Sequence, residues 1–169
     1  MANNMFIKIT TVDGDVEGES QVKGFEKYIE LTGWSWNVTQ TGSAGSGQGG
    51  STGVVKIGDL TVTGQIDKSY PVLAQCAANG THVKTAELNV CKTGGDLSPF
   101  LKKTLNGGIV SSVTSSGGLA ADGTSIQLMT ITLNFASIDF EHKPQKDDGS
   151  FAGSTTCSIS HNQRTGGSK

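Results

Sequence analysis

The chain has 169 residues with 13 basic against 15 acidic side chains, and its net charge of −2 leaves no electrostatic footprint for nucleic acid or an anionic membrane. That length suits one domain around a single core, and no apolar run approaches the roughly 20 residues that span a bilayer. The composition of 24 glycines with only 3 prolines, among many Ser and Thr, points to a strand-rich fold with open connections.

In chain order, the start from Met1 to Thr10 lacks a basic region followed by an apolar segment, so Sec export is not expected. Phe6 to Val12 is rich in β-branched residues and closed by Asp13-Gly14, which predicts a first strand and turn. Over Tyr28 to Gln40, Ile29 and Leu31 alternate, and parity then changes after Gly33 to Trp34, Trp36 and Val38. One strand with a bulge near Gly33 accounts for both runs. A second parity change separates Val55 and Ile57 from Leu60, Val62 and Ile66, with Gly58-Asp59 between them as a bulge or a turn.

Ser69-Tyr70-Pro71 reads as an N-terminal cap with proline in the first turn. Val72, Leu73, Cys76 and Ala77 recur at helical spacing before Asn79-Gly80, which predicts one short helix from about Pro71 to Ala78. Val83 to Lys92 alternates Ala86, Leu88 and Val90 against Thr85, Glu87 and Asn89. Ile109 to Thr114 and Thr155 to Ser160 are further strands, and in Ile126 to Phe140 the run Met129, Ile131, Leu133, Phe135 gives way to Ile138 and Phe140. Repeated parity breaks suit the strongly curved sheets of a barrel. The segment Thr41 to Gly53 has no apolar residue larger than alanine and cannot be held by burial within its own subunit, so it reads as a mobile loop or a docking arm.

Local motifs have bland readings. Gly45, Gly47 and Gly50 satisfy G-x-G-x-x-G, but a strand rather than a phosphate-facing helix is predicted to follow. Ser51 within Gly49 to Gly53 fits the letters of a nucleophile elbow through low complexity alone. Asp13, Asp15, Glu17 and Gly18 resemble the opening of a calcium loop, yet Gly24 stands where the closing glutamate belongs. His82, His142 and His161 lie far apart, and Cys76, Cys91 and Cys157 are odd in number and widely spaced, so no metal site or disulfide framework is expected. Asn37-Val38-Thr39 and Asn79-Gly80-Thr81 match a glycosylation sequon by coincidence. Trp34 and Trp36 share a strand face, as an aromatic platform if exposed and otherwise as barrel core or subunit interface.

An ordered series of short strings covers nearly the whole chain. It begins with Met5-Phe6-Ile7-Lys8-Ile9, Gly18-Glu19-Ser20, Trp34-Ser35-Trp36 and Gln40-Thr41-Gly42-Ser43. It continues with Ile66-Asp67-Lys68-Ser69, Ala86 to Gly95 ending in Lys92-Thr93-Gly94-Gly95, Val110-Ser111-Ser112-Val113, Thr132-Leu133-Asn134-Phe135-Ala136 and Pro144-Gln145-Lys146 before Asp148-Gly149. In order and spacing the series resembles the Hcp family, the hemolysin-coregulated proteins of bacterial type VI secretion. The chain departs from the family in a longer first turn at Val12 to Val16 and in a looser likeness from Phe151 onward.

The resemblance implies a mainly β fold over residues 1–169: a single-domain β-barrel of two antiparallel sheets with one short α-helix, assembling as a hexameric ring with a wide channel. Rings of such proteins stack into a tube within a contractile sheath on a baseplate, behind a VgrG-type spike protein, and small secreted effectors can ride in the channel. It further implies no catalysis and no cofactor, and a location in the bacterial cytoplasm before firing and outside the cell, or inside a target cell, after it. Thr41, Gly42, Ser43, Ala44, Gly45, Ser46, Gly47, Gln48, Gly49, Gly50, Ser51 and Thr52 are the expected ring-ring or subunit contact, because their backbone groups are unshielded and can adapt to a neighbour. Glu87 and Asn89 are the candidates for lining the channel.

Overall fold

The computed structural model describes residues 4–41, 55–94 and 97–161. Its elements in chain order are β1 (Met5–Thr11), β2 (Gly14–Val16), β3 (Ile29–Glu30), β4 (Gly33–Ser35), β5 (Val38–Gln40), β6 (Val55–Ile57), β7 (Leu60–Gln65), α1 (Ser69–Asn79), β8 (His82–Cys91), β9 (Pro99–Leu119), β10 (Ser125–His142) and β11 (Thr155–Ser160). Every pairing between strands is antiparallel. Nine strands form one sheet in the order β2-β1-β8-β9-β10-β7-β4, with β3 on β1 and β11 on β10, while β5 and β6 form a separate two-stranded ribbon.

The large sheet closes on itself through the segment expected as one bulged strand. Tyr28 to Gln40 is instead three short strands with three different partners: β3 pairs with β1, β4 with β7 and β5 with β6. Between β3 and β4 the Leu31 N–H donates to the Met5 carbonyl at 2.9 Å and the Thr32 N–H to the Thr63 carbonyl at 2.7 Å, stitching the first edge of the sheet to the last. The parity change around Gly33 marks this passage from one edge to the other. Closure satisfies edge groups that would otherwise be open to strand addition.

Parity changes elsewhere have two physical origins. Opposite Thr132 and Leu133 the ladder skips Ser111, so the extra residue is on β9. Nearer the end of the same pair the register is unbroken: Phe135 faces Gly108 and Ser137 faces Asn106. Both strands there turn over together at Ala136 and Gly107, with Gly107 at φ +59°. The barrel interior holds Ile7, Ile9, Ile29, Leu31, Leu60, Val62, Leu73, Ala86, Leu88, Met129, Ile131, Leu133 and Ile138, all essentially without solvent contact. Each large aliphatic among them contributes about 1.5–3 kcal/mol by leaving water.

Helix α1 lies where the sequence expects it, two residues longer at its start and one at its end. The capping acceptor is Asp67 rather than Ser69: its carboxylate accepts the Ser69 N–H at 2.9 Å and the Ser69 hydroxyl. Lys68 takes the cap position, Gly80 ends the helix at φ +65°, and Ser69, Leu73 and Cys76 face the barrel. None of the described helices is long and apolar enough to cross a membrane.

Candidate functional site

Pairing registers turn the alternation of single strands into rows across the sheet. One inward row reads Phe140, Lys103, Leu88, Ile7 and Ile29, continued on β11 by the exposed Cys157. The opposite face carries three polar rows. The first is Ser160, Ser137, Asn106, Thr85, Thr10 and Asp15; the second is Ser158, Asp139, Thr104, Glu87 and Lys8; the third is Thr156, Glu141, Lys102 and Asn89. This face spans six neighbouring strands, β2-β1-β8-β9-β10-β11.

Two ion pairs and one hydrogen-bonded carboxylate lie within the face. Lys102 Nζ lies 3.2 Å from Glu87 Oε1, Lys8 Nζ lies 3.2 Å from Asp15 Oδ2, and Asp139 accepts from Asn106 at 2.8 Å and from the Ser158 hydroxyl. The Thr10 hydroxyl, ahead of Lys8, holds the Asp15 carboxyl below its ordinary range. Exposed pairs of this kind add little to stability. Their effect is on the surface itself, which is hydrophilic and, with Asp15, Glu87, Asp139 and Glu141 against Lys8 and Lys102, acidic on balance.

Glu87 is half-buried on this face, and the Asn89 side-chain amide donates to it at 3.0 Å. Asn89 itself is only 2% exposed. It stands across from Phe6, whose ring is stacked on Phe25 at 4.5 Å between centroids. With Cys91 these rings make a small second core over that end of the face, and burial there pushes the Cys91 thiol up. Cys76 is buried, Cys157 is exposed, and all three thiols are free.

Thr41 is exposed at the end of the β5–β6 ribbon, while residues 42–52 lie outside the described residues. The ribbon continues the β4–β7 ladder beyond the barrel. Trp34 faces Val62 and Ser35 faces Thr61, and the pairing resumes with Val38 opposite Ile57, so two residues on one side stand against three on the other. That one-residue offset resolves the Gly58-Asp59 parity change as a bulge. Val38 and Val55, 44% and 42% exposed, share one face of the ribbon with Gln40 and Ile57.

Lys8, Lys102, Thr104, Asn106, Asp139 and Ser158 belong to the polar face beside Glu87 and were not singled out from the sequence. Their alternation is present in it, but which strands are neighbours is not. Among the described residues no three His, Cys, Asp or Glu side chains converge as a metal site. His142 instead packs edge-on against Phe100 and His161 against Phe135. Trp34 and Trp36 pack half-buried against the core.

The family described as "Type VI secretion system effector, Hcp" matches residues 6–142. The chain is 40% identical over 150 residues to Protein hcp1 of Pseudomonas aeruginosa, covering 88% of each chain. Among solved structures, one described as a type six secretion system protein superposes with a TM-score of 0.86 at 29% identity, over 97% of this chain and 99% of the other. Hcp1 of Salmonella typhimurium follows with a TM-score of 0.70 at 26% identity, over 94% of this chain and 96% of the other.

Proposed function

The chain belongs to the Hcp family of type VI secretion system proteins, and from that premise we propose that it is a structural tube subunit, forming hexameric rings whose channel wall is the polar face around Glu87. The observation that carries this reading is the continuous six-strand face of hydroxyls, amides and charged groups on the side of the sheet away from the core. A wall of that kind stays wetted and offers passing cargo no large apolar patch to adhere to.

Its dimensions agree with a wide channel. Six strands at about 4.8 Å spacing make a face about 29 Å wide, so six such faces enclose a circle about 55 Å across at backbone level. Side chains reaching about 5 Å from each wall leave about 45 Å. A folded cargo of about 100 residues has a radius of gyration near 13 Å and fits such a lumen. The subunit therefore works mechanically, stacking into a tube, carrying small effectors and meeting a spike, a sheath and a baseplate, with no bond made or broken. The β5–β6 ribbon, with two valines exposed on one face, serves as the arm that reaches the next ring.

The test is the absolute mass of the full chain by light scattering, with electron microscopy of the same sample. A species of about 105 kDa, six times the 17.5 kDa of one chain, or stacks of such rings, is the expected result. A 17.5 kDa monomer at every concentration would overturn the tube reading.

A further inference from the structure

Lys103 occupies an inward position in a row otherwise made of apolar side chains and one thiol, between Phe140 and Leu88. It is 5% exposed, and no carboxylate among the described residues pairs with it. Its ammonium is held by rings instead: Nζ lies 4.1 Å from the centroid of Trp34, 5.0 Å from Trp36 and 5.2 Å from Phe140. Trp36 and Phe140 also touch each other, with centroids 5.0 Å apart. An aliphatic side chain here would fill the same space without demanding any ring orientation. A cation demands ring faces, because it is attracted to the negative face of the π-system and not to its edge.

The cage stands at the root of the ribbon. Trp34 is in β4, Trp36 directly follows it, and β5 begins two residues later. Across the offset the Gly58 N–H donates to the Asn37 carbonyl at 2.9 Å, and Asn37 packs so closely that a Cβ on Gly58 would lie 2.2 Å from its side-chain oxygen. The buried indole N–H of Trp36 has no hydrogen-bond partner, so its ring is not oriented by that bond. What the ring meets instead is the ammonium beneath and Phe140 beside it.

We infer that Lys103 is a positioning residue for ring stacking: by holding Trp34 and Trp36 over its ammonium it sets the direction in which the β5–β6 ribbon leaves the barrel toward a second copy of the chain. This rests on the reading of the ribbon as the stacking arm. The role belongs to the charge and not to the bulk of the side chain, so a guanidinium, which also stacks on aromatic faces, keeps it, while a neutral chain of similar length loses it.

The experiment compares full-length wild type, K103M, K103R and a deletion of Gly45–Gly50 for ring mass by light scattering, tube yield by sedimentation and microscopy, and tryptophan emission. Both tryptophans of the chain are in the cage, so emission reports on it alone. K103M should keep the ring mass, shift the emission and lower tube yield about ten-fold, and K103R should restore the yield. Wild-type tube yield in K103M alongside loss of tubes in the deletion overturns this inference and leaves the arm reading standing. Unchanged tubes in both overturns the arm reading and the inference with it. Should K103M fail to fold by circular dichroism, W36L decides: reduced tubes from intact rings support the positioning role, and a wild-type yield overturns it.

Discussion

At the scale of single residues, a lysine inside a barrel is tolerated because its charge meets three ring faces, and the cost of removing it from water is only partly offset. Burial pushes the Lys103 ammonium below its ordinary pKa. Phe140, Leu88, Trp34 and Trp36 surround it without charge, and the Cys157 thiol is the next group along its row. Lys102, Glu87, Asp139 and Glu141 alternate to the other face of the sheet. In the unfolded chain the lysine titrates at its ordinary value. Between the lowered folded value and that ordinary value the unfolded state therefore holds more protons, and stability rises with pH. Below the folded value the whole desolvation cost is present. Denaturant unfolding of wild type and K103M at a series of alkaline pH values should show wild type gaining on the variant as pH rises. A difference that stays flat would mean that the ammonium is not desolvated.

Among the elements, β9 and β10 set the shape of the barrel, and their crossing depends on a residue with no side chain. Gly108 faces Phe135, and a Cβ on it would lie 1.9 Å from the Asn134 carbonyl oxygen. Neither strand can move away freely, since each is paired on its other edge too, β9 with β8 and β10 with β7 and β11. Gly108→Ala is expected to cost about 2–3 kcal/mol, in line with other overpacked interiors, read as a lower denaturant midpoint with an unchanged slope. Close by, Asp59 joins the irregular points of three strands: its carboxylate lies 3.1 Å from the hydroxyl of Ser111, the extra residue of β9, and accepts from Asn134 at 2.9 Å. The bulge at the ribbon root and the bulge on β9 are thus tied by one side chain.

For the whole molecule, the assignment of the polar face as a channel wall is separable from the assembly itself. Glu87→Lys breaks the pair with Lys102 and places like charge on the face. In a ring these charges face one another across a lumen several times wider than the Debye length of about 8 Å at physiological salt. The variant should therefore keep the mass of the wild-type ring by light scattering. Dissociation to monomers would mean that the face is a subunit contact and not a wall.

Much of this was legible in the chain. Alternation identified β8 and β10 but only Ile109 to Thr114 of β9, whose glycine- and serine-rich ends lack the pattern; proline and glycine bracketed the helix, the ordered strings pointed to the family, and each of these signals is local or read along the chain in order. Partner choice was not legible. Ile29, Trp34 and Val38 look like one strand because alternation continues past Gly33, yet they pair with β1, β7 and β6 respectively, a choice made by edges far away in sequence. Glu87 and Asn89 occupy equivalent places in the pattern, but the Phe6–Phe25 stack at one end of the face makes one half-buried and the other fully so. Lys103 drew no notice in the sequence, and its burial follows only from Trp34, Trp36 and Phe140 meeting around it. Sequence by itself determined that the alternating segments such as β8 and β10 form strands and to what family the chain belongs, since those depend on neighbours along the chain. Tertiary structure alone decided which face is polar, which is core and which charge is caged, because burial depends on which distant segments pack together.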